Sequence, residues 1–231
     1  MLCEDKIIAL YCIVDDILNG IGHHEDCRRT VSDSEVITTA LVSALYFGGH
    51  QDHARQFMRM TRLIPAMLDK SQFNRRLHAL SELLFDMFYQ IGQQLKAAAG
   101  ASEYVVDSLP VPVCDNIRIS RSKIVKGKQW RGKQASTRRY FYGIKVQVLT
   151  SVQNGIPVEF CFVPGSESDV QALKKLPLTV AAQSKVYADA AYTDYTMEDN
   201  IKESEGIELM MQRRCNSKER MSHGSDSSKN R

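Results

Sequence analysis

Two aspartates have the residue type and the surroundings for metal-assisted phosphate chemistry. Asp107 lies in Glu103-Tyr-Val-Val-Asp-Ser-Leu-Pro-Val-Pro-Val-Cys114, and Asp189 lies in Ser184-Lys-Val-Tyr-Ala-Asp-Ala-Ala-Tyr192. Each carboxylate closes a short β-branched run. A run that is apolar on both sides of its path reads as a central, buried strand, and an acid in its last position is carried to the open end of the sheet. Carboxylates that meet there repel unless a divalent cation lies between them. Mg²⁺, a hard ion that prefers oxygen, is the usual occupant beside phosphates. Attack on a phosphodiester needs one ion to activate the nucleophile and a second, about 3.5–4 Å away, to stabilise the leaving oxygen. Two ions call for at least three carboxylates. Asp107 is expected to bridge both, Asp189 to hold one, and the third acid is unassigned. Either aspartate alone reads first as a strand-end or turn residue; the pair, with a basic segment between them, reverses that reading and points to chemistry.

No other acid has matching surroundings. Asp115 follows Pro110 and Pro112, which are expected to turn its path away. Glu198, Asp199, Glu203, Glu205 and Glu208 follow Asp189 at helical spacing and read as a solvated face. His23-His-Glu-Asp26 looks like a metal cluster, but adjacent side chains diverge and a polar loop is the expected reading. His50 and His53 are assigned surface or capping roles.

The segment between the aspartates explains why a phosphate should be present. Asn116 to Lys145 contains ten Lys or Arg and no acid, which leaves 20 basic against 27 acidic residues in the rest of the chain, so a net charge of only +3 conceals a concentrated positive patch. Arg118, Arg121, Lys123, Lys126, Lys128, Arg131, Lys133, Arg138 and Arg139 are candidate phosphate contacts, each releasing condensed counterions on binding. Trp130, the only tryptophan, can stack on an unpaired base or belong to the core; Tyr142 is expected in the core. Tyr192, close behind Asp189, either supports the ion site or packs.

The elements that must position these residues change character at Gly100. From Lys6 to about Ala99 apolar residues recur at helical spacing, with an N-cap offered by Ser32-Asp-Ser34, a stop at Gly48-Gly49 and a further cap at Ser71. Gln72, Asn74, Arg75 and Arg76 are placed for a helix-turn-helix reading of a DNA groove, with a plain helical bundle as the alternative. Beyond Gly100, strands are expected at 104–107, 143–151, 156–163, 185–189 and 207–211, with a tight turn at Gln153-Asn-Gly155 and helices capped by Ser168 and by Thr193-Asp194. The expected division is a helical, DNA-end-binding region over 1–99, a mixed α/β domain over 100–214, and a disordered polar tail over 215–231. Six cysteines without a Cys-x-x-Cys pair read as buried, reduced thiols of a cytoplasmic protein, and no apolar run is long enough to span a bilayer.

Three stretches resemble one family. Val106-Asp-Ser-Leu-Pro-Val-Pro-Val-Cys114, Tyr142-Gly-Ile-Lys-Val-Gln147 and Val186-Tyr-Ala-Asp-Ala-Ala-Tyr192 are similar to bacterial insertion-sequence transposases with a DDE catalytic domain, most closely the insertion-sequence family nine-eighty-two. The resemblance implies a ribonuclease-H-like fold, two Mg²⁺ ions, double-stranded DNA at mobile-element ends as partner, a homo-oligomer on DNA, and strand cleavage and transfer. Asp107 and Asp189 match the family's first and second catalytic acids. Two departures stand out. The family's third acid, a Glu on a later helix, has no match here; Glu219 is nearby but lies in polar sequence that cannot form an amphipathic helix. Ala191 stands where relatives have Gly. The resemblance thus implies a copy truncated or frameshifted before its last helix, impaired in catalysis, with a catalytically inactive DNA-binding remnant as the alternative.

Overall fold

The computed structural model describes residues 4–114, 116–134 and 138–213. The chain divides into two compact units, Met1–Phe88 and Tyr89–Arg231. Asp115, Glu219 and the expected tail over 215–231 lie outside the described residues.

The first unit is helical. It comprises α1 (Glu4–Gly20), α2 (Asp33–Tyr46), α3 (Gln51–Met60), α4 (Lys70–Ala79) and the opening turns of α5 (Ser81–Ala99). Short polar side chains fix the starts. The Ser32 hydroxyl accepts from the Glu35 N–H while the Glu35 carboxylate accepts from the Ser32 N–H, and Asp69 and Gln72 repeat this reciprocal pairing ahead of α4. Asp69, not Ser71, is therefore the cap. The N-cap needs an extended backbone, and Asp69 has it at φ −66°, ψ 167°. Ile7, Val14, Leu18, Val36, Ile37, Met58 and Phe73 bury their side chains together, each contributing about 1.5–3 kcal/mol.

The second unit is built on a six-stranded sheet: β1 (Glu103–Cys114), β2 (Arg131–Gln134), β3 (Arg139–Ser151), β4 (Pro157–Pro164), β5 (Lys185–Ala188) and β6 (Glu208–Met211). Helices α6 (Asp169–Leu173) and α7 (Tyr195–Glu205) lie in the connections around β5. Strands β1, β3 and β4 form an antiparallel meander. Strands β5 and β6 add to it in parallel, in the order β3-β1-β5-β6. Antiparallel neighbours need only a tight turn, here with Gly155 at φ +67°, whereas the parallel additions need helical crossovers. The result is a ribonuclease-H-like mixed sheet, preceded in sequence by a helical N-terminal region.

One face of that sheet carries the core. Tyr104 and Val106 of β1, Leu149 of β3, Val186 of β5 and Leu209 of β6 pack with Leu173, Met197, Leu95 and Ala99 from the helices. Helix α5 approaches closely at Gly92, where a Cβ would lie 2.0 Å from the Val158 carbonyl oxygen. Lys96, one turn further, is drawn into the core by Glu159 (2.5 Å), the Thr179 carbonyl (2.9 Å) and the Thr179 hydroxyl (3.0 Å). The opposite face is open among the described residues, with Val105 41 %, Leu109 59 % and Phe162 56 % exposed. Strand β1 is therefore central, as expected, but buried on one side only.

It is also longer than the expected 104–107. Pro110 and Pro112 do not end it, because both have the parity that turns the missing N–H away from β3, towards the edge that β5 leaves free after Val105. Strand β2 was not expected at all; Arg-Gly-Lys-Gln has no alternation, and only pairing with residues 139–142 makes it a strand.

Candidate active site

Asp107 is the fifth residue of β1, not its last. Its position at an open end comes from its neighbour. Strand β5 pairs with β1 only through Glu103–Lys185, Tyr104–Val186 and Val105–Tyr187. Two residues beyond the last of these pairs stand Asp107 and Asp189, and Asp189 is still extended, at φ −66°, ψ 163°. Residues two apart on a strand share a face, so both carboxylates leave the open face of the sheet from neighbouring strands about 4.8 Å apart. Both aspartates are exposed.

Each carboxylate is held by its own backbone. An Asp107 oxygen accepts from the Ser108 N–H (2.7 Å), a group that points to the edge vacated by β5. An Asp189 oxygen accepts from the Ala190 N–H at the start of the single 3-10 turn Ala190–Tyr192. One oxygen of each acid is thus oriented by the chain while the other stays available. Behind them, the buried Tyr192 hydroxyl donates to Gln147 Oε1 (2.7 Å), tying the turn after Asp189 to β3. Burial, with Asp169 and Asp107 nearby, pushes that hydroxyl well above the ordinary tyrosine range despite hydrogen bonds to Ser108 and Gln147, so it stays protonated as a structural donor.

The donor set suits a hard divalent cation, since all its atoms are carboxylate oxygens. Among the described residues, no cluster of three ligating side chains includes Asp107 or Asp189. Glu198, expected in solvent, is instead engaged by both terminal nitrogens of Arg213 at the start of α7. Asp199, Glu203 and Glu205 are exposed as expected, and Glu208 pairs with Lys202 at 3.1 Å.

The cluster that does form lies in the first unit, where His23 and Glu25 converge on the buried Asp33. The loop therefore brings together side chains that were expected to diverge, because Asp33 at the start of α2 collects them: His23 at 2.9 Å, Arg29 at 2.7 Å and the Arg76 guanidinium. Two arginines balance the two carboxylates, so the group reads as a closed ion-pair network with no charge left for a metal. Burial pushes the Asp33 carboxyl up, but hydrogen bonds from His23 and Arg76 and the charges of Arg76 and Arg29 outweigh it and hold it below the usual range. Arg76 is thereby removed from any groove-reading role, and Gln72 is spent on the α4 cap; Asn74 and Arg75 remain. His50 caps α3, accepting from the His53 N–H with the two rings stacked at 3.8 Å.

The basic segment folds into a ledge of two 3-10 turns, Asn116–Arg121 and Lys128–Trp130, followed by β2. Arg118, Arg121, Lys123, Lys126, Lys128, Arg131, Arg138 and Arg139 are exposed, and Lys133 lies 5.7 Å from the centre of the Tyr140 ring. Trp130 is half-buried and donates its indole N–H to the Lys126 carbonyl (3.1 Å). Tyr142 is buried, as expected, with its hydroxyl shared between the Val125 and Gly127 carbonyls. Of the cysteines, Cys161 is buried, whereas Cys12 and Cys27 are exposed free thiols.

An antiparallel meander continued in parallel from its first strand is the strand arrangement of a ribonuclease-H-like domain, here with one acid on the first strand and another just beyond its parallel neighbour. The chain belongs to the transposase DDE-domain family: the model described as "Transposase DDE domain" matches residues 98–229, more than half of the chain. Membership implies the use of a divalent metal ion. A comparison with curated proteins finds no match. Among solved structures the chain is similar to piggyBac transposase in a cryo-EM synaptic complex with hairpin DNA, at 14 % identity and a TM-score of 0.40, over 94 % of this chain. It spans 43 % of that protein's chain. No helix among the described residues is long and apolar enough to cross a membrane.

Proposed function

We propose that this chain is a transposase of a bacterial insertion sequence of family nine-eighty-two, working in the cytoplasm as a homo-oligomer on double-stranded DNA. In this reading residues 1–99 bind the element ends and residues 100–214 perform strand cleavage and transfer. Asp107 and Asp189 hold Mg²⁺, two ions in a complete site. Asp107 and Asp189 would hold the ion through their carboxylate oxygens, and its contribution when bound would be Lewis-acid activation of the nucleophile and of the leaving oxygen. The chain's own part is positional. The Ser108 and Ala190 N–H groups orient one oxygen of each acid, Tyr192 anchors the turn behind Asp189, and Arg118, Arg121, Lys123, Lys126, Lys128, Trp130, Arg131, Lys133, Arg138 and Arg139 hold the DNA. The observation that supports this most is the register of β1 with β5, from which the matched position of the two acids follows.

One observation favours a second reading. Two carboxylates hold one ion well and two ions poorly, and no third ligating group joins Asp107 and Asp189 among the described residues. A chain that binds element ends without cutting them fits that geometry. Labelled duplexes carrying element ends separate the two. Metal-dependent nicking that disappears in Asp107→Asn and Asp189→Asn, with end binding retained, is the expected result. End binding with no nicking across a Mn²⁺ titration overturns the catalytic reading and leaves the binder.

A further inference from the structure

The basic ledge contains a cavity of about 300 Å³, lined by Ile119, Ser120, Ser122, Lys126, Gly127, Lys128, Arg131 and Tyr142. We infer that it is a seat for one phosphate group of a nucleic-acid strand, on the same face of the sheet as Asp107 and Asp189. The inference rests on the reading of the chain as a DNA-processing protein and adds to it a defined point of strand contact.

Four observations converge on an anion. Lys126, Lys128 and Arg131 line one cavity, and among the described residues none of them has an acidic partner. Within the segment itself no acid occurs between Asn116 and Lys145. Ser122 is also in the lining, and its hydroxyl oxygen, shielded from solvent, has no hydrogen-bond partner among the described residues, so it is left to donate to an acceptor that the site takes up. Finally, the carbonyls that would repel an anion are already engaged. The Tyr142 hydroxyl covers Val125 and Gly127, while the Trp130 indole and the Gln129 amide cover Lys126.

The cavity is built rather than incidental. Gly127 adopts φ +115°, where L side chains are strained, and a Cβ there would lie 2.2 Å from Gln129 Oε1. At Gly132 a Cβ would lie 2.3 Å from the Phe141 ring, so β2 closes tightly beneath the ledge. The space is more than a bare phosphate needs and enough for part of its sugar. The chemistry is that of a phosphate monoanion or diester, available from a strand or from free phosphate.

Position favours the strand. Asp107 pairs with Val148 on β3, and Tyr142, at the cavity, lies six residues along the same strand with the same parity. That is about 20 Å along the open face. A single strand advancing about 3.4 Å per nucleotide covers it in about six.

Trp130 is the chain's only tryptophan and braces the cavity wall, so its fluorescence reports occupancy. The full chain is titrated with inorganic phosphate, with a six-nucleotide single strand, and with the same strand carrying neutral methylphosphonate linkages. A saturable Trp130 change with the ordinary strand, weaker by tenfold or more for phosphate and for the neutral strand, is expected. The Lys126→Gln/Arg131→Gln variant weakens strand binding at least tenfold and lowers the salt slope by about one or more, since single-strand slopes run at about 0.7 per contact. Ser122→Ala weakens it severalfold, and Lys174→Gln/Lys175→Gln, which removes equal charge elsewhere, leaves it unchanged. All substituted side chains except Ser122 are exposed, and unchanged circular dichroism melts show that the fold persists. Equal affinity for free phosphate overturns the strand assignment. No Trp130 change, or undiminished binding by the Lys126/Arg131 variant, overturns the seat. None of these arms needs cleavage, so loss of the seat with nicking intact, or the reverse, separates this inference from the function it rests on.

Discussion

If Asp107 and Asp189 share an ion, the pair destabilises the fold without metal, and metal reverses the effect. Carboxylates close enough to share an ion would stand about 5 Å apart, and both are exposed, so the dielectric is close to that of water. Their repulsion is then about 0.8 kcal/mol. Asn in place of either Asp keeps the carbonyl that accepts from the following N–H, so Asp107→Asn and Asp189→Asn remove the repulsion without opening the turn. In EDTA each variant should melt about 2–3 °C above the parent, at about 2–4 °C per kcal/mol for a chain of this size. Mg²⁺ at ten times its Kd adds about 1.4 kcal/mol to the parent alone, raising its Tm by about 3–6 °C and reversing the order. Calorimetry or circular dichroism melts in EDTA and across a Mg²⁺ series measure this. Equal Mg²⁺ shifts in parent and variants, or no shift in either, would falsify the shared-ion geometry.

The remaining predictions concern stability. Lys96→Met leaves the Glu159 carboxylate buried and unpaired and should cost about 3–5 kcal/mol in urea unfolding, whereas the Lys96→Met/Glu159→Leu double variant should recover most of it. A double variant as unstable as the single would show that the pair is not the source. Asp33 has a depressed folded pKa, so its contribution is fully present above the unfolded value near 3.8 and is lost as pH falls through the folded value. Asp33→Asn should therefore flatten the pH dependence of urea unfolding below about pH 4, and an unaltered profile would remove the network from that role.

Local chemistry made much of the molecule legible in the residues. The helical period before Gly100, the Ser32–Glu35 and Ser168 caps and the turn at Gly155 all follow from side-chain spacing and backbone preference, whereas the matched position of Asp107 and Asp189 follows from the register of β1 with β5. The concentration of charge between Asn116 and Lys145 is a property of composition alone. Four things required partners distant in sequence. Strand β1 passes through two prolines because β3 supplies bonds on one edge and β5 leaves the other free, and β2 exists only through its pairing with β3. Arg76 looked available to DNA until Asp33, 43 residues earlier, claimed it, and Lys96 looked like one more helix-surface cation until Glu159, 63 residues later, drew it inward. Spacing along the chain determined which groups exist and which face each takes, because those depend on nearest neighbours. Which groups meet was decided by strand register and core packing, because both are set by burial summed over residues far apart in the chain.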